Sequence, residues 1–589
     1  MSAPAGSRPR RLPRSGSRLP RSGRRLPGSG RRLSRSGRRL RWPGREQRLR
    51  LLLAVGSGLV GSLAFPPIGL WPLAMLSVAG LSLATRGRRC RDAAWLGLVF
   101  GAGLFGPMLH WTSTYVGSVP WLILVFAESW YIAALAAMLP LVQRLRWPAL
   151  WVATLWVTEE AVRDRFPFGG FPWGRWAFSQ AESPLKWFAA LGGAPLVSFA
   201  VALSGALLAT AVGRVRGRQL VPAAGSLVAA ALVVLLGAGL AWPLRPDTNG
   251  DRTLTVAAVQ GNVPDRGLDF DARRRQVLDN HVRQTLQLAA AVRAGTVPRP
   301  ELVLWPENAS DIDPTENPDA AQVIQQATDA VGVPILVGAI LDGPGPNHVT
   351  NAGLVWQPST AARPGPGQRY VKRHPVPFGE YIPLRSLARK VSSKVDLVRY
   401  DMVAGTGNGL LDQGPAPLGD VICFEVAYDG LVNSSVRAGA QLLVVQTNNA
   451  TFGHSSETYQ QLAMARLRAV EHARTVVQVA TSGKSAIIDP SGRTLAESGP
   501  LFTADTLLER VPLSRQTTLA TRTGAAAEWL LVAVGVLGAL IGGRRRRRQP
   551  APAAEDRAPA GAVPPGEEAP ASQTQPAEEP AGLTGKGLG

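Results

Sequence analysis

The sequence predicts a multi-pass α-helical membrane domain joined to a soluble α/β domain. Residues 50–243 are a near-continuous series of apolar blocks, and residues 526–542 form one more. Residues 251–515 have instead the mixed composition of a water-soluble domain, with short apolar runs that alternate with helical spacing. A chain of 589 residues also exceeds the usual size of a single domain. We therefore expect at least two folded units.

The chain begins with a basic tail over residues 1–47, built from heptapeptides such as "RLPRSGS" and "RLPRSGR". Pro and Gly break helices, and each copy has one apolar residue where a coiled coil needs two, so a coiled coil is excluded. Residues 544–589 begin with five arginines and continue as a tail rich in Pro, Ala and Glu. We interpret both tails as disordered.

Eight apolar segments approach the length of about 20 residues that a membrane-spanning helix needs. Seven of them form a predicted membrane domain over residues 48–245, and the last is an eighth helix over residues 525–543. "TEEAVRDR" makes the fifth the weakest, and Glu128 in the fourth is expected to face protein or water because facing lipid is costly. The segments are 49–65, 69–85, 93–115, 119–142, 147–162, 186–212, 219–242 and 525–542.

Basic residues fall on alternate loops between these segments. The loops at 86–92, 143–147 and 213–219 are rich in Arg, whereas "FPPIGL" and "STYVGSVP" contain neither Lys nor Arg. The positive-inside rule then places both termini in the cytoplasm and the α/β domain outside it. The formal charge of +23 is thus interpreted as membrane topology rather than nucleic-acid binding. We expect a multi-pass protein of the cell membrane.

The α/β domain is predicted over residues 251–515. It begins with the strand "TLTVAAVQGN", and its last long helix is "TYQQLAMARLRAVEHAR". Between them, apolar and β-branched runs alternate with helical spacing. "GDVICFEVA" is predicted as one strand, which would place Cys423 and Glu425 on the same face.

Three strand ends in this domain carry chemically useful groups. Glu307 ends "LVLWPE", Lys372 and Glu380 lie in "YVKRHPVPFGEYIPLR", and Cys423 lies in "VICFE". Each has an ordinary alternative: an exposed loop acid, a surface lysine, and a buried structural thiol. Together they provide a base, a cation and a nucleophile, the set that acyl transfer through a thioester requires.

The two cysteines support a reactive role for Cys423. Cys90 lies in a predicted cytoplasmic loop, so it cannot pair with Cys423 across the bilayer. An unpaired thiol in an oxidising compartment is a candidate nucleophile. The six histidines show no metal-ligand spacing such as HExxH, so we expect neither a metal site nor a cofactor.

The motifs "WPEN", "YVKRHPVPFGEYIPLR" and "ICFE" resemble the Glu-Lys-Cys signature of the nitrilase superfamily. The long second motif is characteristic of the membrane branch of this superfamily, the apolipoprotein N-acyltransferases. Two further segments, "FPPIGLWPLA" and "GGFPWGRWAFSQ", resemble the membrane portion of that family. The resemblance implies an extracytoplasmic αββα sandwich on seven membrane helices, closed by an eighth. It also implies transfer of an acyl chain from a phospholipid, through a cysteine thioester, to the N-terminal amine of S-diacylglyceryl-cysteine in lipoproteins.

The resemblance assigns roles residue by residue. Glu307 matches the general base, Lys372 the stabiliser of the oxyanion and Cys423 the nucleophile. Glu380 matches a second essential carboxylate, and Glu425 matches the acid that follows the nucleophile.

Three positions depart from the family pattern. Phe424 stands where the family usually has Tyr, and Phe270 and Thr451 stand where it commonly has Trp. Aromatic character is kept at Phe424 and Phe270, so lipid contact is expected to survive there, whereas Thr451 could alter selectivity.

Other functions remain open at this point. A membrane-tethered amidase would use the same three residues to hydrolyse a C–N bond, although an eight-span platform favours a lipid substrate. A non-catalytic scaffold and nucleic-acid binding by the basic repeats are further alternatives. The expected partners are a phospholipid acyl donor, diacylglyceryl-modified lipoproteins and the bilayer, with no nucleic acid, and the expected state is a monomer.

Overall fold

The computed structural model describes residues 44–263 and 270–548. Most of both predicted tails therefore lies outside the described residues. A helix is found in each of the eight predicted segments. The helices are α1 (Arg45–Ser62), α2 (Pro72–Thr85), α3 (Cys90–Met108), α4 (Ser113–Val116), α5 (Ser118–Val142), α6 (Pro148–Arg163), α7 (Ala189–Arg216), α8 (Leu220–Leu244), α9 (Phe270–Arg293), α10 (Pro318–Val331), α11 (Arg385–Val391), α12 (Asp429–Arg437), α13 (Glu457–His472), α14 (Leu519–Thr523) and α15 (Ala526–Arg548).

Four of these helices are long and apolar enough to cross a membrane. They are Ser118–Val142, Pro184–Arg216, Leu220–Leu244 and Ala526–Arg547. Helix α2 is apolar but has only 14 residues, and α6 has 16. The described residues thus contain four candidate spans, and the eight-span arrangement stays a prediction.

The basic ends of several helices lie together at one end of the bundle. The Arg50 guanidinium, near the start of α1, donates to the carbonyl of Ala84 at the end of α2 (2.9 Å). Similarly, Arg546 near the end of α15 donates to the Cys90 sulfur at the start of α3 (2.7 Å). Neighbouring helices therefore run in opposite directions, and arginines gather where alternate helices begin or end.

Two β-sheets form the α/β domain. The first has the strand order β13-β1-β2-β3-β4-β5, with β6 beside β4, and the second has the order β12-β11-β10-β9-β8-β7. The strands are β1 (Thr253–Gln260), β2 (Leu302–Leu304), β3 (Ile335–Asp342), β4 (His348–Gln357), β5 (Gly365–Val371), β6 (Asp401–Met402), β7 (Leu410–Leu411), β8 (Leu418–Ile422), β9 (Leu442–Thr447), β10 (Thr475–Ala480), β11 (Ala486–Ile488), β12 (Thr494–Glu497) and β13 (Asp505–Pro512).

The apolar side chains on the two faces of each sheet pack into different cores, and these cores define the layers of the domain. Val256 of β1 and Val444 of β9 belong to a core between the two sheets, whereas Val259 packs in a second core with helices α9 and α10. A third core joins the outer face of the second sheet, helices α12 and α13, and the apolar helices that precede β1. The αββα sandwich implied by the motifs is present, and one of its helical layers is shared with the membrane helices.

Polar contacts reinforce this junction at helix α13. Gln460 accepts a hydrogen bond from the Trp173 indole (2.6 Å) and donates to the carbonyl of Met108 at the end of α3 (3.2 Å). One α13 side chain is thus bonded to two separate segments of the N-terminal helical region.

A group of buried ion pairs, which we call the junction cluster, lies in the same region. Arg163 at the end of α6 pairs with Glu159 (2.8 Å) and lies 3.6 Å from Glu128 of α5. Glu128 therefore faces the bundle interior, as predicted. Further along, Arg175 and Arg468 share Asp429 at the start of α12, at 2.9 and 2.7 Å.

The prediction of one strand across "GDVICFEVA" is wrong beyond Ile422. Strand β8 ends there, and residues Cys423–Ala427 form a 3₁₀ turn in which Cys423 has a left-handed φ of 54°. The Glu425 carboxylate folds back to accept the Ile422 N–H (2.9 Å), which closes the turn. Cys423 and Glu425 therefore do not share a strand face.

Candidate active site

The three predicted catalytic groups follow three different strands at the same edge of the sandwich. Glu307 follows β2, Lys372 follows β5 and Cys423 follows β8. Strand β5 is antiparallel to β4, which is antiparallel to β3, so β5 points the same way as β2 and β3. The carboxyl ends of β2 and β5 therefore meet at one edge of the first sheet, where Cys423 arrives from the second.

Lys372 is held between two carboxylates. Its ammonium lies 3.0 Å from Oε1 of Glu307 and 2.7 Å from Oε1 of Glu380, and its side chain is 1% exposed. The Asn351 amide donates to the same Glu307 oxygen at 2.7 Å. Burial alone would lower the pKa of Lys372, but the two carboxylates raise it well above its ordinary value. Lys372 is thus a permanently charged, immobile cation.

The Cys423 thiol has weaker partners. It accepts hydrogen bonds from the Thr447 hydroxyl (3.3 Å) and the Gln461 amide (3.6 Å). Burial raises the pKa of the thiol, the charge of Glu307 raises it further, and Lys372 opposes both. The resting thiol therefore keeps its proton, and a base has to remove it before the sulfur can attack.

Groups in and just after strand β9 contact both Glu307 and the Cys423 thiol. The backbone N–H of Asn448 donates to Oε2 of Glu307 (2.9 Å). The Asn449 amide donates to the buried carboxylate of Glu457 (2.8 Å) and to Gln461 (2.9 Å). Burial raises the pKa of Glu457 to about 8, against the hydrogen bond from Asn449. Glu307 and the thiol are thus both positioned by the segment that ends β9.

The Glu425 carboxylate connects the loop that contains Lys372 to the turn that contains Cys423. Its carboxylate accepts hydrogen bonds from the Tyr370 hydroxyl (3.0 Å), the backbone N–H groups of Arg373 (2.7 Å) and His374 (3.1 Å), and Ile422 as described above. These donors flank Lys372 in the chain and precede Cys423. Glu425 therefore links the lysine loop to the cysteine turn.

Phe424 lies in an aromatic wall that the N-terminal helical region helps to build. Its ring stacks on Trp173 (5.9 Å between ring centroids) and on Phe171 (5.8 Å). Trp173 also contacts Trp111, which contacts Phe452 in turn. Thr451 lies in the short 3₁₀ turn with Phe452. The Phe270 side chain lies outside the described residues.

Sequence reasoning missed Asn351, Asn448 and Gln461. A signal existed for Asn448, because "LLVVQTNN" ends an apolar strand in polar residues just as the three selected motifs do. Asn351 lies within a strand and Gln461 within a helix, so nothing local marks either residue. In the described part of the chain no group of His, Cys, Asp and Glu could hold a metal ion.

A sandwich with Glu, Lys and Cys at one edge, packed on apolar helices, defines a membrane-associated enzyme of the carbon-nitrogen hydrolase class. Residues 255–521 match the family model for carbon-nitrogen hydrolase, and residues 57–207 match that for the apolipoprotein N-acyltransferase N-terminal domain. The first match covers the sandwich, and the second covers most of the helical region.

Relatives extend over nearly the whole chain. An apolipoprotein N-acyltransferase of Mycolicibacterium smegmatis is 42% identical, over 83% of this chain and 84% of its own. Those of Pseudomonas putida (79% and 92% covered) and Azotobacter vinelandii (86% and 97%) are each 33% identical. The chain belongs to the apolipoprotein N-acyltransferase family, and the resemblance found in its motifs is confirmed.

Proposed function

We propose that the chain transfers an acyl chain from a phospholipid to the N-terminal amine of S-diacylglyceryl-cysteine in lipoproteins, through a thioester on Cys423. The supporting observation is the group of buried Glu307, buried Lys372 and half-buried Cys423 beside the aromatic wall of Phe171 and Trp173. A largely buried site with an aromatic wall from the N-terminal helical region suits a lipid ester and a thioester that must outlive bulk water.

In the first half-reaction, Glu307 takes the proton of the Cys423 thiol as the sulfur attacks the carbonyl carbon of the phospholipid ester. The oxyanion that forms is stabilised by the ammonium of Lys372. The C–O ester bond then breaks, and Glu307 returns the proton to the departing lysophospholipid oxygen. One acyl chain remains on sulfur.

In the second half-reaction, the α-amine of the acceptor attacks the thioester carbonyl. Glu307 accepts a proton from the amine, Lys372 again stabilises the oxyanion, and the C–S bond breaks as the sulfur regains its proton. Glu380 holds the ammonium of Lys372 in place. Glu425 holds the loop that contains Lys372 against the turn that contains Cys423. The order of steps predicts ping-pong kinetics, and neither a metal nor a cofactor takes part.

We also propose eight membrane spans, with both termini cytoplasmic and the catalytic domain outside the cytoplasm of a cell-membrane protein. The arginines gathered at one end of the bundle support this orientation. A reporter active only outside the cytoplasm should work when fused at 245–255. It should fail when fused at 86–92, at 213–219 or after residue 548, and activity at any of these would contradict the topology.

The proposed domain organisation follows the same plan. A membrane domain over 48–245 leads into a catalytic domain over 251–515, followed by the eighth helix over 525–543. Strand β1 begins at Thr253 and β13 ends at Pro512, which supports the middle boundaries. All the described groups of the site come from one chain, so a monomer is proposed as the working unit.

The mass of a lipoprotein N-terminal peptide tests the function. In cells that lack any other such activity, this protein should add the mass of one acyl chain to the diacylglyceryl-modified peptide. Cys423→Ala should add none, whereas the matched change Cys90→Ala should leave the gain intact. An unchanged mass with the wild-type protein, together with hydrolysis of amides, would favour the amidase.

A further inference from the structure

A cavity lies at the opposite end of the second sheet from Cys423. Its volume is about 570 Å³, and its walls include Arg437, Arg474, Arg515, Arg522 and Thr517. Four arginines line it and no Asp or Glu does. A cavity of this charge suits an anion.

Its distance from the active site follows from the strands. Two residues of the cavity wall lie just before strands of the second sheet: Arg474 precedes β10, and Gln441 precedes β9. Asn448, which follows β9, lies at the other end of that strand, beside Glu307. Strand β9 has six residues, which corresponds to about 20 Å. The cavity is therefore separate from the place where Cys423 and Lys372 lie.

Arg474 forms a rigid base for this cavity. Its side chain is buried, and it donates to the backbone carbonyls of Ala440 (2.8 Å), His472 (3.2 Å) and Ala473 (3.1 Å). Burial lowers the pKa of Arg474 to about 10, and the charge of Asp251 only partly opposes this. A guanidinium held in this way is fixed before any ligand arrives.

The other three arginines, Arg437, Arg515 and Arg522, are exposed. Within the described residues, none of the three has a carboxylate within ion-pairing distance. They remain available to an anion that enters from outside. The Thr517 hydroxyl, which accepts a hydrogen bond from Arg522 (2.9 Å), adds a neutral polar group to the same wall.

The cavity lies near the end of one candidate span and the start of another. Arg522 belongs to α14, and the apolar helix α15 begins at Ala526. On the other side, the Gln516 amide donates to the carbonyl of Asp247 (2.6 Å), just after α8 ends at Leu244. Membrane headgroups therefore lie within reach of this cavity, which favours a lipid as the source of the anion.

We propose that this cavity binds the phosphate of an anionic membrane phospholipid, at a site distinct from the acyl donor site. The bound headgroup would hold α14 and the start of α15 against the catalytic domain. The inference rests on the cavity, its charge and its position, and it does not depend on the thioester mechanism.

The test uses the full chain in a neutral detergent and lipids with ether-linked chains, which the enzyme cannot cleave. Binding is followed by the rise in the thermal unfolding midpoint during titration with phosphatidylglycerol, phosphatidylcholine or inorganic phosphate. Phosphatidylglycerol should bind the wild-type protein more tightly than phosphatidylcholine does, and more weakly as salt is added.

The double variant Arg515→Gln/Arg522→Gln should bind phosphatidylglycerol about thirtyfold more weakly. The matched double variant Arg283→Gln/Arg293→Gln removes the same charge from exposed positions on α9 and should bind like the wild type. Equal affinity in the two double variants would overturn the proposal, because the lipid would then bind elsewhere. Equal stabilisation by inorganic phosphate alone would overturn it in favour of a site for free anions.

Discussion

Two groups of buried charges, the candidate active site and the junction cluster, differ in how their ionisable side chains are paired. In the junction cluster each cation has carboxylate partners, and Arg175 and Arg468 both pair with Asp429. Burial would raise the pKa of Asp429, but these two arginines hold it at about 2. In the active site Lys372 is matched by two carboxylates, while the Cys423 thiol keeps its proton and a raised pKa.

The difference shows how one chain uses buried charge for two purposes. At the junction each buried arginine has at least one carboxylate partner, and these pairs join the sandwich to the helices. Incomplete pairing at the thiol leaves a group whose protonation state can change, which suits the nucleophile role proposed for Cys423. The first arrangement suits packing, and the second suits the proposed chemistry.

Glu307→Gln should have the largest effect. Loss of a general base typically costs about 10²–10⁴ in rate, so acylation should fall by that factor. The pKa of Cys423 should fall at the same time, because the charge of Glu307 is one of its causes. In a Cys90→Ser background, the pH dependence of iodoacetamide labelling reports the thiol pKa. A variant that acylates normally would remove Glu307 from the mechanism.

Asp429→Asn tests how much the junction cluster contributes to stability. It removes the carboxylate that Arg175 and Arg468 share. Arg175 keeps Asp164 and Arg468 keeps Glu471, so we expect a loss of about 2 kcal/mol in the free energy of unfolding, as for a hydrogen bond to a charged group. Because the folded pKa of Asp429 is depressed, its contribution is complete above about pH 4 and is lost as the pH falls toward 2.

A matched control for Asp429→Asn is Asp396→Asn, which breaks an exposed pair with Arg389. Exposed pairs contribute about 0–1 kcal/mol, so this variant should unfold almost like the wild type. Thermal unfolding in detergent measures both. Equal losses in the two variants would mean that the junction cluster contributes no more than a surface pair.

Phe424→Tyr tests the wall between the two regions. Phe424 stacks on Phe171 and Trp173, so an aromatic ring of similar shape should be tolerated, and turnover should change by less than about tenfold, or 1.4 kcal/mol. Phe424→Leu removes the stacking and serves as the comparison. A larger loss in the tyrosine variant would show that the pocket requires a ring without a hydroxyl.

Asp420→Asn should have the smallest effect when stability is compared at about pH 4, where the buried carboxyl is protonated in the folded protein. Burial between the sheets raises the pKa of Asp420 well above its ordinary value, and the charge of Glu425 raises it further. The folded protein then favours the protonated form, so this residue's contribution to stability is complete below about pH 4 and declines as the pH rises. In the asparagine variant that decline should be absent from the unfolding free energy measured between pH 4 and 8. An unchanged decline would assign it to other groups.

The sequence predicts the helices, the central strands and the three groups proposed for catalysis because each is encoded locally. Apolar runs such as "LVLW" and "VVQVA" predict strands. Polar residues at the ends of such runs can also be recognised without a structure. The short strand Thr494–Glu497 was not predicted, because it alternates weakly and is largely accessible.

Contacts between distant segments could not be predicted. The left-handed Cys423 is neither Gly nor Asn, and its turn depends on Glu425 folding back to Ile422. The junction cluster joins side chains more than 250 positions apart, such as Arg175 and Asp429. No local pattern encodes such pairs.

The most direct test of the central claim is to trap the acyl-enzyme. Purified protein is incubated with labelled phospholipid and no acceptor, and then treated with neutral hydroxylamine, which cleaves thioesters but largely spares oxygen esters. We expect a label that hydroxylamine removes, that is absent in Cys423→Ala, and that forms about 10²–10³ more slowly in Lys372→Ala. A label that resists hydroxylamine, or that persists in Cys423→Ala, would contradict the assignment of Cys423 as the nucleophile.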